Sequence, residues 1–176
     1  MRAMGMRIDD PALEARARQP RFRGFEGMGA SPDGTEGVLV SAAGENPFCG
    51  DELEVRLVLR PGEEGPWVVD AAAFDGYGCT LCLAAADAVM EHVVGLPVAE
   101  AAQVDFDATC ALIGGLEVGR TRRGCVDLVS RVVRAALATE AARVSLQDGL
   151  GEPALAKDAV AFEENAVDKQ RSGLAY

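Results

Sequence analysis

Histidine occurs once in this 176-residue chain, tryptophan once, and aromatic residues make up only 5% of it. One histidine excludes a two-cysteine, two-histidine zinc site, and the cysteines do not fall into the spacing of a closed four-cysteine one. Basic charge is also short: 17 lysines and arginines face 28 aspartates and glutamates, giving a formal charge of −11 and a pI near 4.5. That balance argues against nucleic acid or an anionic membrane as the main partner. No apolar run reaches the roughly 18 to 20 residues of a membrane span. The opening "MRAMGMRIDDPALEARARQP" lacks the continuous apolar stretch of a secretory signal. Five cysteines, an odd number, then favour reduced thiols used for metal or sulfur chemistry over a disulfide framework, and the expected compartment is the cytoplasm.

What is present suffices for one domain with a short appendage and a real core. "PALEARAR" carries a short helical pattern that breaks at Pro20 and Gly24, and "EGVLVSAA" reads as a first strand. In "ELEVRLVLR", Leu53, Val55, Leu57 and Leu59 alternate with Glu52, Glu54, Arg56 and Arg60, the pattern of a half-buried antiparallel strand that only Val58 interrupts. "RPGEEGP" is a hairpin connection and "WVVDAAAFDG" the returning strand, with Trp67 and Phe74 as core. From Cys79 to Val94 the period becomes helical, with Cys82, Ala85, Ala86, Val89 and Val93 on one face until Gly95 and Pro97. A further helical stretch covers 98–117, and a last helix is expected from Cys125 to about Arg143. The result is an α+β fold: a small three-stranded antiparallel sheet with helices packed on one face. Its domain spans 1–146, and 147–176 is an acidic, loosely attached tail. No internal repeat is visible.

Three cysteines share one context. Cys49 lies in the turn before a strand, while Cys79 and Cys125 each stand at an expected helix start, and a glycine (Gly50, Gly78, Gly124) adjoins each. A helix N-terminus offers partial positive charge and free N–H groups, which favour thiolate, the form that binds metal and attacks sulfur. Their shared placement points to a convergent metal or sulfur site.

The set "NPFCGD", "FDGYGC" and "RTRRGCVDL" resembles the U-type iron–sulfur cluster assembly scaffolds, the IscU, SufU and NifU N-terminal family. "QPRFRGFE" resembles that family's Pro-Arg-x-x-Gly stretch. The resemblance covers roughly residues 10–140 and implies Cys49, Asp51, Cys79 and Cys125 as ligands of an iron–sulfur cluster, more readily a two-iron, two-sulfur one, or of Zn²⁺. Thiolates are soft donors suited to both. The carboxylate of Asp51 is harder and weaker, which would keep a cluster transferable. The implied function is a scaffold, not an enzyme. It would receive sulfur from a cysteine desulfurase together with iron, and pass the cluster to apo iron–sulfur proteins or carrier proteins. The alternative is a zinc-bound sulfur acceptor of the SufU kind, accessory to the desulfurase. Gly124 stands where IscU-type members have histidine, and Arg122 matches the SufU Arg-x-x-Cys, but the 46-residue spacing from Cys79 to Cys125 is closer to IscU length.

Cys125 is the expected sulfur acceptor, because a helix start, Gly124 and the cluster of Arg120, Arg122 and Arg123 would favour its thiolate. Cys82 makes a C-x-x-C with Cys79. Its apolar stripe reads as core, with an auxiliary ligand or a resolving thiol as the functional alternatives. Cys110 reads as packing and His92 as a solvated helix residue. The arginine cluster would steer an anionic partner or persulfide, or simply form a solvated loop.

Overall fold

The computed structural model describes residues 10–28, 37–63 and 65–139. The expected tail at 147–176 and the expected helix end at Arg143 lie outside them. Helix α1 (Pro11–Arg18) starts where Asp10 accepts a hydrogen bond from the Ala12 N–H at 2.8 Å, with proline in the first turn. Three strands follow, β1 (Val38–Asn46), β2 (Asp51–Gly62) and β3 (Gly65–Tyr77), forming an antiparallel sheet in the order β1-β2-β3. Then come α2 (Thr80–Val93), the short α3 (Val98–Ala101) and α4 (Phe106–Leu112), and α5 (Arg120–Leu137). The expected α+β class and three-stranded sheet are what the chain forms.

Alternation on β2 aims Leu53, Val55, Leu57 and Leu59 into the core, where they meet the buried stripes of α2 (Leu81, Ala85, Val89, Val93) and α5 (Leu128, Val129, Val132, Val133). Helix α5 packs across β1 and β2, and α2 packs against β3 and α5. Val58, the one residue out of step, is also buried: the β2–β3 register shifts between Val58 and Leu59, so Val58 faces Ala71 and Leu59 faces Val69. Phe74 is fully buried, whereas Trp67 is only half-buried against the core. The segment expected to hold a single helix over 98–117 is two short ones, because Asp105 caps α4 through Ala108 N–H at 2.8 Å and restarts the helix there.

Two features orient the site. The Phe74 carbonyl accepts from the Gly24 N–H and the Phe74 N–H donates to the Phe22 carbonyl, each at 2.9 Å, so the N-terminal segment covers the outer edge of β3. The hairpin between β1 and β2 has four loop residues, Pro47 to Gly50, closed by the Asn46 carbonyl accepting from the N–H groups of Cys49 (3.2 Å) and Gly50 (2.9 Å). Gly50 has φ +69, a value that suits glycine and lets β2 begin at Asp51.

Candidate metal centre

The hairpin loop, the start of α2 and the second turn of α5 meet at one end of the sheet. Cys49, Asp51 and Cys125 each place a ligand atom within 4.8 Å of the other two. The Cys125 thiol donates to the Cys49 sulfur at 3.2 Å, a contact between two free thiols. Asp51 is buried at the first position of β2, and its Oδ1 accepts the Cys79 N–H at 2.9 Å. That bond satisfies one of the donors at the start of α2, where Cys79 is the N-cap and gives no side-chain cap of its own. Cys79 does not belong to the mutual 4.8 Å group, yet its thiol is among the groups bearing on Cys125.

The expected position of Cys125 needs correction. Helix α5 begins at Arg120, so Cys125 sits in its second turn rather than at its start, and it is 1% exposed. The helix dipole acts within the first turn. Burial, then hydrogen bonding with Asp51 and Cys49 and the nearby Cys79, push the Cys125 thiol up, opposite to the expected depression. Arg120, Arg122 and Arg123 occupy the first turn of α5 and are exposed, not part of a loop, with the Arg123 guanidinium 3.9 Å from the centre of the Phe106 ring. Cys49, by contrast, is exposed, and beside it stand Phe48 (94% exposed) and, at the same end of the sheet, Tyr77 (75%).

Cys82 lies directly behind this group. It is fully buried in the core, and burial, followed by the charges of Asp51, Cys79 and Cys49, pushes its thiol up. A Cβ on Gly78 would stand 2.8 Å from its sulfur and 3.3 Å from Asp51 Oδ1, so a glycine is required between strand and helix here. Cys110 is half-buried on α4 with its thiol pushed up by burial and then by Asp107, and His92 is exposed in the last turn of α2, the end away from Cys79. The sequence pattern did not point to Asn46, whose side chain faces both Asp51 and Cys125. An asparagine before proline reads as a turn residue, and nothing in its spacing marks a contact with a sulfur 79 residues away.

The NifU-like N terminal domain family matches residues 18–146. The chain belongs to that family. No curated protein matches it. Among solved structures, the fold is similar to that of a hypothetical protein, with a TM-score of 0.52 and 18% identity over 72% of this chain and 94% of that one. It is likewise similar to the N-terminal part of a nitrogen-fixing NifU-like protein from Brucella abortus, with a TM-score of 0.50 and 16% identity over 80% of this chain and 95% of that one. A Fervidobacterium islandicum AW-1 protein provisionally described as an iron–sulfur cluster assembly scaffold for the SUF system matches with a TM-score of 0.49 and 21% identity, over 73% and 95% of the two chains. At these identities the likeness to the first two is one of fold. Family membership agrees with the motifs around Cys49, Cys79 and Cys125, which lie within the matched residues.

Proposed function

We propose that this chain is a scaffold on which an iron–sulfur cluster is built from iron and from sulfur delivered by a cysteine desulfurase. The cluster then passes to apo-proteins or carrier proteins. The observation that carries the reading is the approach of Cys49, Asp51 and Cys125 to within 4.8 Å, with the Cys79 thiol beside them. Donors bound to one tetrahedral metal stand roughly 3.5 to 4 Å apart, given metal–sulfur bonds near 2.3 Å and metal–oxygen bonds near 2.0 Å. The group therefore needs only small adjustment to hold an ion. Two sulfurs and a carboxylate this close would repel one another if all were ionised, and a cation relieves that repulsion.

Each residue then has its own part. Cys49, the exposed thiol, is the entry point for sulfur, in place of the buried Cys125. Cys125 and Cys79 hold the cargo from the helix side. Asp51 is tied to α2 through Oδ1 and offers the carboxylate as a weak donor, which keeps the cargo removable. Phe48 and Tyr77 form an apolar rim for the sulfur donor, and the arginines of the first turn of α5 supply positive charge in an acidic protein. The chain acts as a carrier rather than an enzyme, working in the cytoplasm; among the described residues no helix is long and apolar enough to cross a membrane.

A second reading is favoured by the donor set itself. Three thiolates and one carboxylate with no histidine suit a single tetrahedral zinc, and a zinc-bound sulfur acceptor would use the same residues. One experiment separates the two. Anaerobic supply of iron and sulfide to purified protein should give a coloured cluster that chelators strip readily, with Asp51→Ala lengthening its lifetime. A colourless protein holding one tightly bound zinc under those conditions sinks the scaffold reading in favour of the sulfur acceptor.

A further inference from the structure

Asn46 ends β1 and is 3% exposed, yet it is a polar residue whose carbonyl and side chain face the hairpin loop and the metal centre. Its carbonyl closes the loop on Cys49 and Gly50. Its side-chain Oδ1 turns toward the Phe48 N–H, 3.4 Å away. Nδ2 faces inward, 3.5 Å from Cys125 Sγ and 3.5 Å from Asp51 Oδ2. The first distance is ordinary for an N–H donor on sulfur; the second is at the outer limit for oxygen. Across from it, a Cβ on Gly124 would stand 3.1 Å from both Nδ2 and Oδ1 and 3.2 Å from Cγ. The carboxamide fills the space that a side chain at position 124 would enter.

We propose that Asn46 is the positioning residue of the metal centre. Its uncharged N–H donor holds the Cys125 sulfur and the Asp51 carboxylate facing one ion, and Gly124 is the gap that admits it. The inference rests on Cys49, Asp51, Cys79 and Cys125 being metal donors. A carboxamide suits the place because it adds no charge to a group already rich in anionic donors. A leucine of nearly the same shape would fill the space without the N–H donor. Hydrogen-bond partners of metal ligands orient them and raise affinity, and losing one typically costs about 10- to 100-fold in binding.

The test uses the full-length reduced protein with Co²⁺ as probe, reading affinity by chelator competition and thiolate coordination from the sulfur-to-cobalt absorption band. Asn46→Leu should weaken Co²⁺ binding by about 10- to 100-fold and shift that band, with the apo-protein's circular dichroism unchanged. Gly124→Ala should weaken binding in the native background and have no further effect in Asn46→Ala, because the clash it creates is then gone. If Asn46→Leu does not fold, the comparison of Gly124→Ala in the two backgrounds decides between the outcomes. Wild-type affinity and spectrum in folded Asn46→Leu, or an equal cost of Gly124→Ala in both backgrounds, overturns the role of Asn46 and leaves the metal centre standing. Failure of the wild-type protein to bind Co²⁺ through thiolates overturns the metal centre, and the role of Asn46 with it.

Discussion

Thiols react in proportion to their access and their thiolate fraction, and the cysteines here differ most in access. Cys49 stands open on its loop, while Cys125 and Cys82 are buried, and burial pushes both their thiols up. Brief alkylation of reduced apo-protein should therefore label Cys49 ahead of Cys125 and Cys82, as read by peptide mass spectrometry. Desulfurase-dependent persulfide should likewise disappear in Cys49→Ser and survive in Cys110→Ser. Persulfide appearing at the wild-type rate in Cys49→Ser would return the acceptor role to Cys125 or Cys79. Gly78 is a second residue-scale case. Gly78→Ala drives a Cβ to 2.8 Å from the Cys82 sulfur and should cost about 1 to 3 kcal/mol in urea unfolding, the usual range for overpacking.

Helices α1 and α5 show opposite electrostatic habits. With eight residues α1 is too short to be stable alone. It is tied down by the buried Asp87 of α2, whose Oδ2 accepts from Arg16 Nε at 2.8 Å and whose Oδ1 accepts from the Phe22 N–H at 3.0 Å. Asp87→Ala leaves that N–H without its partner and should cost about 2 kcal/mol, with the loss of amide protection in hydrogen exchange largest in α1. Equal loss across all helices would contradict the anchoring role. Helix α5 instead carries Arg120, Arg122 and Arg123 in its first turn with no acidic residue and no side-chain cap, against the sense of its dipole. Arg120→Glu should then stabilise the apo-protein by about 0.3 to 1 kcal/mol while slowing sulfur delivery at low salt, an effect that fades as salt screens the charges. Unchanged delivery at low ionic strength would mean that these arginines serve no partner.

At the scale of the whole molecule, three separated pieces of chain converge on one end of the sheet, so an ion held there by the proposed donors would tie the hairpin to both long helices. A ligand at 100 times its Kd adds about 2.7 kcal/mol, and each kcal/mol is worth roughly 2 to 4 °C in a domain of this size. Stoichiometric Zn²⁺ in excess of its Kd should accordingly raise the unfolding midpoint by several degrees, and Cys49→Ser or Asp51→Ala should shrink that rise. The family match ends at residue 146. Removing residues 147–176 should therefore leave the zinc-dependent shift intact; its loss would make the tail part of the binding unit.

Local pattern was enough to determine the order of elements up to the end of α2, the antiparallel pairing of β2 with β3, the apolar faces of α2 and α5, and the candidates Cys49, Asp51, Cys79 and Cys125. Each of those is written in a short period or a short motif, because alternation and the 3.6-residue repeat are properties of neighbouring positions. The start of α5 was not legible. "GRTRRGC" holds no capping side chain and its charges oppose the dipole, so packing of the helix against β1 and β2 overrode the local signs. That displacement of five residues moved Cys125 from a helix start into the core and reversed the shift of its thiol. The burial of Val58 and the fit of Asn46 against Gly124 were likewise decided only in three dimensions. Both depend on distances between residues far apart in the chain, and no spacing along the sequence encodes which side chain will occupy a gap opened by another element.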